Sequence, residues 1–326
     1  MKSFFKISLI YIIIFELIFQ IFIFFDFKYF KIPDLFYNGY CSQKYWNFID
    51  RKTSFNDKTK YHPILSYIKK GIEIPEKFEE KAYVEKKYFN TKEISLYGSS
   101  YINHKEFKFF LDKHKNYNFN NYALNSYGLD QIFLSYKLTA HLNQNKTIIF
   151  GFLLEDLDRS IFYKRDYEKV LIKKDNEKYS ITNIPIKEKD KSSFKFDFYL
   201  LRFLSNFYSL IKNDFDPRLS NCYKDKKKDL LNYYFNEILN LSSKYNQKII
   251  FITFNLKEDL IKTPTWRYDV IKNLITKNNI THIDSYTLLK KKSSNYNEKI
   301  DSYFGIDKHN NKKSFKYIID DLFLKL

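Results

Sequence analysis

Two short stretches of this 326-residue sequence carry residue types that can do covalent chemistry together. The first is Gly98-Ser99-Ser100, directly after the apolar run Ile94 to Tyr97. It reads as a buried strand that runs into a tight turn and then a helix. A serine there stands at the carboxyl end of a strand beside a helix N-terminus, where outward-pointing backbone N–H groups stabilise an oxyanion. A serine becomes an effective nucleophile when a base takes its proton. The second stretch, 305–311, supplies that base in His309, one of six histidines in the chain. A helix-capping turn alone would use the same small residues, so the reading rests on these two stretches meeting in space.

The elements that must position them follow an alternating rhythm. Strands are expected at Glu93 to Gly98, Asn118 to Leu124, Thr147 to Phe152, Lys248 to Phe254 and Thr281 to Asp284. Helices are expected at Asn103 to His114, Asp130 to Leu142, Lys228 to Tyr245, from Pro264 to about Lys277, and at Lys312 to Leu326. Such alternation implies a mostly parallel sheet covered on both faces. Sites in such sheets lie at the carboxyl ends of the strands. The run from about 160 to 225 breaks the rhythm and reads as an insertion or cap, with an aromatic helix at about Phe198 to Ile211.

The segment before this domain differs in kind. Residues 4–25 are apolar apart from Lys6, Ser8, Glu16 and Gln20. As a helix they would reach roughly 33 Å, enough for a bilayer core. No small-residue cleavage site follows, so 1–31 reads as an uncleaved single-pass anchor. The lysines flanking it lean toward an N-terminus inside and the domain outside the cytoplasm. Glu16 and Gln20 share one helical face. Either that face meets another helix or Glu16 is protonated in lipid. Residues 32–90 read as a connector packed on the domain 91–326, with a short helix at Ile64 to Ile72.

Composition excludes some classes. The net charge of +18 is almost all lysine, against six arginines, and Lys, Asn, Ile, Phe and Tyr are all inflated. No nucleic-acid-binding motif accompanies the charge, so a nucleic-acid partner is not expected. The two cysteines, Cys41 and Cys222, lack metal-site spacing. They form one disulfide if the domain is extracytoplasmic, or stay as two thiols. His62, His104, His114, His141 and His282 have no metal spacing either, and His282 lies in an expected strand, where packing is the simpler role.

Four stretches, in order, resemble the blocks of the SGNH (GDSL-like) hydrolase superfamily, over about Glu93 to Leu326. The resemblance implies a three-layer, flavodoxin-like α/β fold and activities such as esterase, lipase, deacetylase or acyltransferase. At Tyr97-Gly98-Ser99-Ser100, Ser100 aligns with the family nucleophile and Ser99 replaces the usual aspartate. In the second block Asn121, Gly128 and Gln131 match, while Ala123 and Ser126 replace two glycines. The Ser126 backbone N–H is then implied as an oxyanion donor, with Gly128 beside it. In the third block Glu155 and Asp156 stand where the family carries an asparagine. An ionised glutamate cannot donate, so a third donor comes from elsewhere or Arg159 supplies positive charge. The last block is similar to the family's Asp–His pair, one residue closer than its commoner spacing. It implies His309 as base and Asp307 as the group that orients it. Asn311 sits where a polar residue would cap the last helix.

The expectation is therefore a membrane-anchored, serine-dependent ester hydrolase or acyltransferase that needs no cofactor or metal. Its substrate would be an acylated glycan or small ester, with O-acetylated envelope glycan the preferred choice. Two other readings stand beside it: a non-catalytic scaffold that keeps the fold, and a surface protein whose lysines bind anionic lipid or polymer.

Overall fold

The structure, a computed structural model, describes residues 2–24, 43, 58–78, 90–165, 167–186, 198–201, 203–204, 222–257, 260, 265–306 and 309–326. The chain divides into two compact units. One comprises Met1–Thr53, Lys164–Tyr167 and Glu188–Tyr223. The other comprises Ser54–Tyr163, Glu168–Lys187 and Lys224–Leu326.

The larger unit is built on a five-stranded parallel sheet. In chain order its described elements are β1 (Thr59–His62), β2 (Ser66–Lys69), β3 (Asn90–Gly98), α2 (Lys105–Leu111), β4 (Asn118–Asn121), α3 (Leu129–Thr139), β5 (Lys146–Leu153) and α4 (Asp156–Arg159). These are followed by β6 (Leu171–Asp175), β7 (Lys178–Thr182), α5 (Lys224–Lys244), β8 (Lys248–Phe254), α6 (Trp266–Lys277), β9 (Thr281–Asp284), α7 (Ser285–Asn295) and α8 (Lys312–Lys325); α1 (Lys2–Phe24) belongs to the other unit. The sheet runs β9-β8-β5-β3-β4, every neighbouring pair parallel. Counted along the chain, the strand order is 2-1-3-4-5, the flavodoxin-like doubly wound arrangement. Its topological switch point falls between β3 and β5.

The period of two along each strand sorts the side chains onto two faces. Ile94 and Leu96, Ile149, Ile250 and Ile252, and Ile283 form one core with Phe107, Phe110 and Leu111 of α2 and Phe315, Ile318, Ile319 and Leu322 of α8. The opposite face is aromatic. Tyr97, Phe150, Phe251, Phe235 of α5 and Tyr136 of α3 form a chain of ring contacts with centroids 4.8–5.6 Å apart. Burial on both faces makes the inner strands β3, β5 and β8 largely apolar runs, which is why they read clearly in the sequence.

One expectation is corrected here, and two elements were not foreseen. Ile64 to Ile72 is not a helix. It forms most of an antiparallel hairpin of β1 and β2, turned by Ser66 at φ 69°. His62 holds the turn, its Nδ1 accepting from the N–H groups of Ile64 and Leu65. Within the stretch 160–225, which reads as an insertion or cap, β6 and β7 form a second antiparallel hairpin. The helix α7 was not foreseen at all. It is lysine- and serine-rich, and its N-terminus is set by Asp284, which accepts from Tyr286 and Thr287. Pro264 lies outside the described residues; Thr265 occupies the N-cap of α6.

In the smaller unit, α1 exposes apolar side chains along its length, from Phe4 at 76% to Ile21 at 54%. No helix is long and apolar enough to cross a membrane among the described residues. The side chains of α1 are described without a break only over 6–21. The Glu16 carboxylate accepts from Gln20 and from the backbone N–H groups of Tyr199 and Leu200, and Phe19 packs on Phe203. The face bearing Glu16 and Gln20 thus meets residues 199–204, which lie in the expected aromatic helix. Cys222 is disulfide-bonded; the other cysteine, Cys41, lies outside the described residues.

Candidate active site

The turn that carries Ser100 is held close to the sheet by glycines. Gly98 and Gly151 stand opposite each other where β3 and β5 end. A Cβ on Gly98 would lie 2.2 Å from the Gly151 carbonyl oxygen, and one on Gly151 would lie 2.2 Å from Cδ1 of Ile102. Neither position has room for a side chain, because the fully buried Ile102 fills the space above both. The turn 99–103 is closed by Asn103 N–H donating to the Ser99 carbonyl, and Ser99 N–H donates to the Gly151 carbonyl. These contacts put Ser100, half-buried, just past the carboxyl end of β3 at the switch point.

His309 arrives from the far end of the chain. Its Nε2 lies 3.0 Å from Ser100 Oγ, a hydrogen bond across 209 residues. The segment around it is fixed on both sides. Gly305 N–H donates to the His309 carbonyl at 2.8 Å, and Phe304 and Asn310 form an antiparallel bridge. Asn311 caps α8, its side chain accepting from the N–H groups of Lys313 and Ser314. The His309 ring packs on Tyr101, with centroids 4.8 Å apart. It also stacks on His104 at 5.6 Å, and His104 stacks in turn on Phe315 of α8. His104 therefore braces the ring of His309. Its own Nδ1 accepts from Glu106 N–H at the start of α2. The sequence signal for it was faint: a histidine four residues after the candidate nucleophile. Asp307, the expected orienting carboxylate, lies outside the described residues.

The second block forms the opposite wall. Ser126 has φ 65°, the left-handed region that glycine adopts freely. Its carbonyl accepts from Arg159 Nη1 at 3.2 Å. Asn125, the preceding residue, accepts a side-chain hydrogen bond from Asn103 at 2.9 Å. That bond ties the nucleophile turn to the Ser126 loop. Gly128 starts α3, and a Cβ there would meet Asp130 Oδ1 at 2.5 Å and Arg159 Cβ at 2.7 Å. Gln131 accepts from Gly128 N–H and donates to the Leu65 carbonyl, joining the β1–β2 hairpin to the loop. Beneath it, buried Asp130 pairs with buried Lys169 at 2.6 Å and accepts from Ser160.

In the third block the Asp156 carboxylate is turned to the backbone and to Arg159. Asp156 is 3% exposed; its Oδ2 accepts from Leu153 N–H at 2.9 Å, and Oδ1 faces Arg159 Nε at 3.5 Å. It closes the turn at the end of β5. Arg159 is spent on Asp156 and on the Ser126 carbonyl, which makes it a brace of the Ser126 loop. Glu155 is half-buried directly before α4. His282 hydrogen-bonds Thr253 Oγ1 at 2.9 Å, and burial lowers its pKa to about 4. It is a packed residue of β9. Among the described residues no group of three or more His, Cys, Asp or Glu side chains is placed to hold a metal ion.

No protein-family model matches the sequence, and no curated protein matches it. Among solved structures, the chain is similar to a member of the lipolytic protein G-D-S-L family from Veillonella parvula. Identity is 12%, over 72% of this chain and 99% of that one, with a TM-score of 0.42. It is similar as well to a protein from Bacillus subtilis at 10% identity, over 73% of this chain and 57% of that one, with a TM-score of 0.40.

Proposed function

We propose that this chain is a serine-dependent hydrolase or O-acyltransferase of acyl esters. The observation that carries the reading is the 3.0 Å contact between Ser100 Oγ and His309 Nε2. It is made at the switch point of a doubly wound sheet, by residues from opposite ends of the unit. In the reaction, His309 takes the Ser100 proton as Oγ attacks the acyl carbonyl carbon. The oxyanion is met by the Ser100 backbone N–H and one near Ser126. The ester C–O bond breaks, and the leaving alcohol takes the proton from His309. Water, or a sugar hydroxyl in the transferase case, then attacks the acyl-enzyme while giving its proton to His309. That proton returns to Ser100. Asp307 would orient His309 in this scheme.

The substrate we favour is an acetyl ester on an envelope glycan, with α1 as a single-pass anchor and the catalytic unit outside the cytoplasm. Two observations favour that placement. The helix α1 is apolar and exposes large apolar side chains along its length, and the disulfide at Cys222 belongs to oxidising compartments.

The test is active-site labelling of the full chain in detergent micelles with a fluorophosphonate, the adduct mapped by mass spectrometry. Label on Ser100 that is lost in His309→Ala is the expected result. A well-folded chain that takes no label is a non-catalytic scaffold with this fold. Label on another serine would mean that the nucleophile is misassigned.

A further inference from the structure

The β1–β2 hairpin grips the Ser126 loop through side chains that the reaction scheme does not use. The hydroxyl of Tyr67, on β2, donates to the Asn125 carbonyl at 2.8 Å. Tyr127 answers from the loop. Its hydroxyl donates to the Tyr67 carbonyl at 2.6 Å, and the two rings meet edge to face with centroids 5.8 Å apart. Tyr127 is fully buried. Gln131 adds a third tie, to the Leu65 carbonyl. The hairpin is itself anchored to residue 186, where Ile186 N–H donates to the Pro63 carbonyl at 2.8 Å and the Tyr61 hydroxyl donates to the Ile186 carbonyl. All of it precedes Glu93, where the stretch resembling the SGNH family begins.

The choice of acceptor matters. The Asn125 carbonyl and the Ser126 N–H belong to one peptide group, which is planar and trans, so the two point in opposite directions. Holding the oxygen therefore sets the direction of the N–H. The next peptide group is held as well, by Arg159 on the Ser126 carbonyl, and the Ser126 φ of 65° relates the two planes. The Asn125 side chain accepts from Asn103, whose own N–H closes the turn that carries Ser100. A carbonyl that accepts a hydrogen bond also polarises its amide, so the N–H at the other end donates more strongly.

We propose that Tyr67 is a positioning residue for the oxyanion donor at Ser126. Its hydroxyl fixes and polarises the peptide group between Asn125 and Ser126, so that the Ser126 N–H meets the charge that forms on the acyl oxygen. This rests on the reading of Ser100 as the nucleophile and of the Ser126 N–H as a donor. Tyr67 acts through a backbone amide and not by touching the substrate. The hairpin thereby becomes a working part of the site, supplied from before the first strand of the sheet.

The experiment uses the full chain in detergent and follows the labelling of Ser100 by a fluorophosphonate, whose phosphoryl oxygen gains charge as Oγ attacks. Rates are taken across probe concentration and across pH. Tyr67→Phe keeps the ring and removes only the donor. The expected result is a maximal labelling rate lower by about tenfold, the upper size of one neutral hydrogen bond. The half-saturating concentration and the midpoint of the pH profile should stay where they are. Tyr179→Phe removes a comparable hydroxyl bond, to the Asp229 carbonyl from β7, and should label at the parent rate. A parent-like maximal rate in Tyr67→Phe would overturn the proposal. So would a shifted pH midpoint, which places the effect on His309, or an equal loss in Tyr179→Phe, which makes the effect one of general stability. Should Ser100 take no label in the parent chain, the nucleophile reading falls by itself. Hydrogen exchange over 122–128 then decides what remains: exchange that quickens in Tyr67→Phe upholds the hold on the Ser126 peptide group, and unchanged exchange overturns it.

Discussion

Gly98 and Gly151 face each other across β3 and β5, and both lie beneath the side chain of Ile102. The height of the nucleophile above the sheet is set by this contact. Gly98→Ala would drive a methyl into the Gly151 carbonyl. We expect a loss of about 1–3 kcal/mol in stability from the overpacking. We also expect Ser100 labelling to fall by roughly a hundredfold, since a displacement near 1 Å suffices for that. Labelling rates beside a denaturation midpoint separate the two effects. Unchanged labelling would mean that the turn does not depend on this close approach.

Ser126 tests whether its contribution comes from the backbone or the hydroxyl. A non-glycine residue in the left-handed region costs about 1–2 kcal/mol. Ser126→Gly should therefore gain up to about 1 kcal/mol and keep the labelling rate. Ser126→Val should lose stability and rate together, because a β-branched residue resists this conformation. A sharp loss of activity in Ser126→Gly alone would assign the role to the hydroxyl.

The buried Lys169–Asp130 pair underlies the start of α3. Lys169→Met strands the Asp130 carboxylate in a dry interior, which costs about 3–5 kcal/mol. Adding Asp130→Leu should recover a large part of that loss, measured by urea denaturation. If the single variant were as stable as the parent, the pair would have no part in holding the loop.

His282 gives the fold an acid-sensitive flank. Its folded pKa is about 4, lowered from 6.5 by burial. The native state therefore holds fewer protons than the unfolded chain between those values. Stability is fully present above pH ~6.5 and is lost as pH falls toward 4. Burial lowers His62 and His114 in the same direction. His282→Gln, which can still bond Thr253, should flatten the stability curve between pH ~6.5 and 4. A curve of unchanged slope in that variant would remove His282 from the account.

The parallel strands could be read from the sequence because burial on both faces leaves little room for polar residues. The strand β8 follows its expected bounds for that reason, while the edge strand β9 also follows its own with only Ile283 buried. The cap at Asn311 was legible too, as a short polar side chain before an amphipathic run. What escaped needed partners that no local pattern encodes. The hairpin of β1 and β2 mimics a helix because Ile64, Leu65, Ile68 and Ile72 fall at helical spacing, while its true turn depends on Ser66 and His62. The value of Gly151 appears only once β3 and β5 are paired in register. His104 becomes a brace only when α8 brings Phe315 and His309 to it. Asp156 looks like a site carboxylate in a motif, yet its oxygens close the end of a strand.

The separation of Ser100 from His309 bears on when the protein becomes reactive. At translation rates of about 5–20 residues per second, roughly 10–40 s pass between the synthesis of the two residues. In that interval the nucleophile turn lacks its base, and the brace from Phe315 is missing as well. The growing chain therefore lacks the proposed Ser100–His309 pair until its last helix has been made. The pair forms only once α8 packs against α2 and carries His309 to Ser100, so the order of synthesis itself delays it.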